Sequence, residues 1–217
     1  MATPFKVCCI ASAQEAALAI RHGAAALGLV SEMPSGPGVI SLEQIAEIVK
    51  TLPPGVASFL LTSKQNTAEI IEQQRQTQVN TIQLCDRITE GSFSDLRDAF
   101  SDVALVNVVH VQGEESIQEA VDVAPHVEAL LLDSGSKTSS IKILGGTGRT
   151  HNWDISRRIT DAVKIPVYLA GGLNAGNVKD AVSRVNPYAV DICNGIRTDG
   201  RLDEEKLQAF AQALQGT

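Results

Sequence analysis

Leu169-Ala170-Gly171-Gly172-Leu173-Asn174 is an apolar run that ends in two glycines and a polar residue suited to opening a helix. A buried strand hands over to a helix in this way while leaving backbone N–H groups facing outward. Glycine lets an anion approach the backbone closely, and a helix N-terminus adds roughly half a positive charge. Working outward, Gly145-Gly146-Thr147-Gly148 follows the preceding apolar run and Asn194-Gly195 the following one. Glycine-bearing turns after successive strands are how a phosphate pocket is built after the late strands of a (β/α)8 barrel. Any one of these glycine pairs, taken alone, is weak evidence, because most such pairs are simply turns.

The rest of the chain repeats the same unit. Apolar runs at 5–10, 24–30, 56–61, 79–84, 103–111, 127–133, 166–170 and 188–192 read as strands. Helical patterns follow them at 12–23, 41–52, 67–76, 92–100, 115–124, 154–163, 174–185 and 203–214, the first opened by a Ser12-x-x-Glu15 capping box. Mostly continuous apolar strands alternating with amphipathic helices mean a parallel sheet covered by helices, and eight is the number that closes. The expected fold is therefore an α/β single (β/α)8 TIM barrel spanning 1–217 as one domain. The alternative, an open doubly wound sheet, carries a Gly-rich first turn, whereas this chain reads Cys9-Ile10-Ala11-Ser12 there.

Composition narrows the function. At 217 residues the chain is short of the ~250 typical of a barrel, which calls for tight loops. A formal charge of -7 without any basic stripe argues against nucleic acid as a partner. Local N–H groups and one or two arginines still suffice for a small anion. The start has no charged segment followed by an apolar one, and no ~18-residue apolar run occurs, so a cytoplasmic protein with no membrane partner is expected. The four cysteines lack zinc-type CxxC spacing and read as free thiols, so no metal is expected.

In a barrel, reactive groups sit where strands end. That points to Cys8 and Cys9, Cys85 and Asp86, Asp133, Asp191, and the loop residues Arg149, His151 and Arg197. Strand alternation puts Lys6, Cys8 and Ile10 on one face and Val7 and Cys9 on the other, so only one of the paired cysteines should face the mouth. Lys6 one layer below Cys8 would favour its thiolate, the form that acts as base or nucleophile; otherwise Cys8 is a small buried hydrophobe. Asp133 is either a general acid/base or a group that satisfies loop N–H donors. Asp191 could serve similarly or pair with a first-strand cation. His22 and His126 fall on helix surfaces or ends, and Trp153 seals the long 134–152 loop onto the barrel wall.

Taken together, these residues resemble the phosphoribosylanthranilate isomerase family of tryptophan biosynthesis, over nearly the whole chain. The resemblance rests on Lys6-Val7-Cys8, Ile82-Gln83-Leu84, Leu131-Leu132-Asp133, Gly145-Gly146-Thr147-Gly148 with Trp153, Leu169 to Leu173 with Asn177-Val178, and Val190-Asp191 with Gly195. It implies Cys8 as general base and Asp133 as general acid of a cofactor-independent Amadori rearrangement. It also implies a small phosphorylated sugar as substrate, held at Gly146, Gly171, Gly172, Asn194 and Gly195 with Asp191 nearby, in a monomer or homodimer.

The chain departs from the family pattern in the other half of the mouth. Cys9 replaces a glycine, Cys85-Asp86 replaces His-Gly, Gly36-Pro37-Gly38 replaces Ser-Pro-Arg, and Cys193-Asn194-Gly195-Ile196-Arg197 replaces Ser-Ser-Gly-Val-Glu. The lost arginine would have clamped an aromatic carboxylate. Arg197, brought beside Cys8 where the eighth strand meets the first, is the candidate replacement; its alternative is a solvated loop charge near Asp199. Without a replacement, the chain is a paralog acting on another phosphosugar, or a non-catalytic phosphosugar-binding protein.

Overall fold

The computed structural model describes residues 2–135 and 151–215. The chain builds β1 (Phe5–Val7), α1 (Ala13–Arg21), β2 (Ala26–Val30), α2 (Leu42–Lys50), β3 (Ala57–Thr62), α3 (Thr67–Thr77), β4 (Thr81–Leu84) and α4 (Phe93–Ala99). The second half continues with β5 (Ala104–His110), α5 (Glu115–Val123), β6 (Ala129–Asp133), α6 (Trp153–Ala162), β7 (Val167–Leu169), α7 (Val178–Val185), β8 (Ala189–Ile192) and α8 (Glu204–Leu214). All eight strands pair in parallel and in sequence order, and β1 returns to β8, closing the barrel.

Alternation along the strands sorts the interior into two layers. Leu27, Leu29, Leu60, Ile82, Leu130 and Leu132 face the helices. Ala26, Val30, Phe59, Leu61, Val106, Val108, Ala129 and Leu131 face the barrel axis. Both strand faces are buried, which is why the runs read as nearly unbroken apolar sequence. Serine, asparagine or aspartate caps supply the helix starts: Ser12, Ser41, Asn66, Ser92, Asn152 and Asp203 each accept from a first-turn N–H.

Two local expectations are corrected, and one element is added. The Ser12-x-x-Glu15 box forms only by half. Ser12 Oγ accepts from Glu15 N at 3.2 Å, but the Glu15 carboxylate turns away to Ala11 N, Leu202 N and Arg197. Asn174 does not open the seventh helix, which starts at Val178. Instead Asn174 Oδ1 accepts from Gly176 N and Asn177 Nδ2 donates to Gly172 O, a side-chain-bonded turn that delays the helix by one turn. After β8 a short 3₁₀ turn (Asn194–Ile196) leads into a small hairpin of β9 (Arg197–Thr198) and β10 (Arg201–Leu202), which the sequence pattern did not reveal.

Candidate active site

The C-terminal ends of the strands enclose a cavity of about 280 Å3, near the lower end of the range for small-molecule pockets, about 300–1,000 Å3. Cys8, Asp133, Gly171, Gly172, Asp191, Asn194 and Gly195 all line it, drawn from the ends of β1, β6, β7 and β8. Val30, Met33, Pro37 and Leu61 form an apolar wall on the side of β2 and β3. Gly146 and Arg149 lie outside the described residues.

Lys6 is fully buried beneath Cys8, its Nζ 2.9 Å from Asp191 Oδ1 and 5.2 Å from the centre of the Phe59 ring. Burial works against the ammonium, but Asp191 overrides it and holds the lysine charged, above its ordinary range. Asp191 thus takes the second of its two sequence readings, pairing with the first-strand cation while one edge reaches the cavity. Room for this cluster comes from Gly28 on β2. A Cβ there would come within 2.9 Å of both Lys6 Nζ and Cys8 Sγ. The sequence reading missed Gly28; its signal was a glycine at an inward position of an otherwise apolar strand.

The Cys8 thiol sits below its ordinary range. The largest cause is a hydrogen bond from the Cys9 thiol; burial opposes it, and the Lys6 charge adds to the lowering. Lys6 therefore acts as expected but ranks behind Cys9. Asp133 moves the other way. Burial pushes its carboxyl up to about 6 and the Asp191 charge adds to this, against the opposing hydrogen bond from Ser134 N–H at 2.7 Å. A thiol tilted toward its thiolate and a carboxyl tilted toward its acid thus face one cavity.

The expectation that one cysteine of the pair faces away is overturned. β1 ends at Val7 and Cys9 adopts φ +63, so alternation stops and both thiols line the cavity. Ile10 packs in the outer layer instead. A positive φ at a non-glycine residue is strained, and this is the position where the family pattern has glycine. Gly38, at the family's arginine position, packs against the same side chain: a Cβ on Gly38 would lie 2.5 Å from Cys9 Cβ.

Arg197 is corrected on both readings. Its side chain is 7% exposed; Nη1 pairs with Glu15 at 3.2 Å, and Nη2 donates to the carbonyls of Cys8 and Cys9 at 3.2 and 2.5 Å. It is neither a clamp over the cavity nor a solvated loop charge, because Glu15 and the β1 carbonyls have already taken the guanidinium. Cys85 and Asp86 also fall outside the cavity. Burial pushes the Cys85 thiol up to about 12, and Asp86 turns into its own loop to accept from Arg87 N.

Of the four histidines, His22 meets Glu204 and His126 stacks on Phe93 at the surface, as expected. His151 packs beside Gly171, where burial lowers it to about 4 and keeps it neutral. His110, in register with Asp133 on the neighbouring strand, was not singled out from the sequence; its Nε2 meets Cys85 O at 3.2 Å. Gln83 points into the cavity with Oε1 lacking a hydrogen-bond partner among the described residues. Trp153 starts α6, half-covered by Arg184 at 5.4 Å from its ring, and belongs to the outer layer. Among the described residues no group of three His, Cys, Asp or Glu side chains is placed to hold a metal ion, and no helix is long and apolar enough to cross a membrane.

Fold and rim together define a (β/α)8-barrel protein with its ionisable and glycine-rich elements gathered at one mouth. The chain belongs to the N-(5′-phosphoribosyl)anthranilate isomerase family, whose model matches residues 5–213. It is 33% identical over 215 residues to the Haloferax volcanii N-(5′-phosphoribosyl)anthranilate isomerase, covering 98% of this chain and 93% of that protein. It is 34% identical over 207 residues to isomerase 2 of Methanosarcina mazei, covering 94% and 91%. The crystal structure of phosphoribosyl anthranilate isomerase from Thermotoga maritima superposes with a TM-score of 0.82 at 26% identity, over 99% of this chain and all of that one.

Proposed function

We propose that this chain is an N-(5′-phosphoribosyl)anthranilate isomerase, converting the aminoaldose phosphate to the carboxyphenylamino-deoxyribulose phosphate in tryptophan biosynthesis. Asp133 protonates the furanose ring oxygen, opening the ring to a Schiff base. Cys8 then removes the proton from C2, and the resulting enolamine becomes the ketose. The observation that carries this reading is the opposed poise of Cys8 and Asp133 across one cavity, which a proton-transfer pair working near neutral pH requires. The N–H groups around Gly171, Gly172, Asn194 and Gly195 hold the phosphate. The wall of Val30, Met33, Pro37 and Leu61 takes the aromatic ring, and Gln83 Oε1 accepts from a substrate N–H or O–H. Every group named here comes from one chain, so a monomer or a homodimer serves equally.

A second reading rests on charge. Among the described residues lining the cavity the formal charges are Asp133 and Asp191, and no arginine or lysine is placed to meet a carboxylate there. That favours a related phosphosugar without the carboxylate. Purified protein given enzymatically generated phosphoribosylanthranilate, with anthranilate fluorescence followed as the substrate is consumed, separates the two. Turnover that also rescues a tryptophan auxotroph lacking the isomerase supports the first reading; binding of simple sugar phosphates without turnover of phosphoribosylanthranilate supports the second.

A further inference from the structure

Three thiols, Cys8, Cys9 and Cys193, line the cavity mouth. Cys193 Sγ donates to Cys9 Sγ at 2.7 Å, although the residues stand 184 positions apart. Two features of the fold make that contact. The β1–β8 pairing matches Val7 with Ile192, so each strand presents its next residues side by side. The positive φ of Cys9 then swings its side chain off the strand alternation toward β8, and Gly38 closes in behind it. A disulfide of about 2.05 Å needs the sulfurs to approach by roughly 0.7 Å.

We propose that Cys9 and Cys193 form a reversible disulfide pair, closed by hydrogen peroxide entering the cavity, and that closing it slows turnover at the neighbouring Cys8. In the first step Cys193, the more exposed of the two, attacks the peroxide. An S–O bond forms, the O–O bond breaks, and water leaves after taking up the thiol proton, giving a sulfenic acid. In the second step the Cys9 thiol attacks Cys193 sulfur and gives up its proton to the departing hydroxide. The S–S bond forms, the S–O bond breaks, and the hydroxide leaves as water with the Cys9 proton. Both sulfurs are oxidised by one electron each and the peroxide is reduced to two waters; a dithiol reverses the change.

The effect on turnover follows from the place of Cys9, next to Cys8 in the chain and turned by its positive φ to line the same cavity. A thiol hydrogen favours the Cys8 thiolate, and a disulfide sulfur has none to give. The oxidised protein therefore needs higher pH to reach the same thiolate population. This consequence rests on Cys8 being the base, whereas the crosslink itself does not.

The test treats the reduced protein with hydrogen peroxide, blocks remaining thiols, and maps the linked peptides while following isomerase activity. The expected result is a fall from four titratable thiols to two, a Cys9–Cys193 linked peptide, and activity near pH 6 reduced about tenfold, the scale of one hydrogen bond to a charged group. The acid limb of the rate profile moves to higher pH, and dithiothreitol restores both. Cys193→Ser, compared with its own reduced form, should show no crosslink and no reversible shift of that limb. A Cys8–Cys9 link, four surviving thiols at excess peroxide, or the same reversible loss in Cys193→Ser would overturn the pairing. A mapped Cys9–Cys193 crosslink with unchanged turnover would overturn the control of Cys8. If the reduced protein lacks isomerase activity altogether, the peptide map still decides the pairing.

Discussion

The two halves of the barrel mouth are built by different rules. After β7 and β8 the glycines are locked by the backbone itself. Gly171 and Gly172 stand at φ +84 and +64, and a Cβ on Gly195 would overlap the Leu173 carbonyl oxygen. Few other residues can occupy these sites. On the side of β1 and β2, side chains rather than backbone fill the space, and they pack against one another. The Cys9 Cβ leaves no room for one on Gly38, and Glu15 and the carbonyls of Cys8 and Cys9 hold the Arg197 guanidinium. In the first half the backbone dictates the residue; in the second, side chains dictate one another.

The largest effect expected on this comparison is at the base. Cys8→Ala should lower kcat by ~10² to 10⁴ while leaving the affinity for a phosphate-bearing product analogue nearly unchanged. Wild-type-like turnover would remove Cys8 from the chemistry. Next is the cation. Arg197→Ala leaves Glu15 half-buried and unpaired and frees two carbonyls, so a loss of about 3 kcal/mol is expected in urea unfolding. The change in KM should stay within about twofold, and a large KM effect with intact stability would restore Arg197 as a substrate clamp.

Asp133 gives a smaller effect of opposite sign. Burial raises its folded pKa to about 6, so the native state holds this proton more tightly than the unfolded chain. Its contribution is then fullest below about pH 4 and is lost as pH rises through 6, a difference of about 3 kcal/mol at most. Asp133→Asn should therefore match the wild type at low pH and exceed it in stability by about 1–3 kcal/mol at pH 8; equal stability at both would show a carboxylate at ease in its site. The smallest effect is the coupling between positions 9 and 38. Gly38→Ala should cost about 1–3 kcal/mol alone, through overpacking and positive φ. Against Cys9→Gly that cost should shrink by about 1 kcal/mol, and strict additivity would mean the two departures are independent.

Much of this molecule was legible before any coordinates. Continuous apolar strands, the amphipathic helices between them and the Gly171-Gly172 turn carry the fold because each expresses a local rule. What was not legible depends on contacts between distant segments. Alternation placed Cys9 on the outer face, and only its left-handed backbone conformation brings it inside. Glu15 fits a capping box by spacing, yet its strongest partner is Arg197 in a hairpin that forms 182 residues later. Gly28 serves Lys6 and Cys8 from an adjacent strand, which one-dimensional spacing cannot express.

The central claim is that Cys8 and Asp133 act as a base and an acid poised in opposite directions across one cavity. Its most direct test is the pH dependence of kcat/KM for phosphoribosylanthranilate, wild type beside Asp133→Asn. That ratio reports ionisations of the free enzyme. The wild type should rise as the Cys8 thiolate forms and fall on the alkaline side with an apparent pKa near 6, as Asp133 gives up its proton. Asp133→Asn should be ~10² to 10⁴ slower and lack the alkaline fall. An Asp133→Asn protein within about tenfold of wild type that keeps the same alkaline limb would contradict the assignment of Asp133 as the acid, and with it the opposed pair.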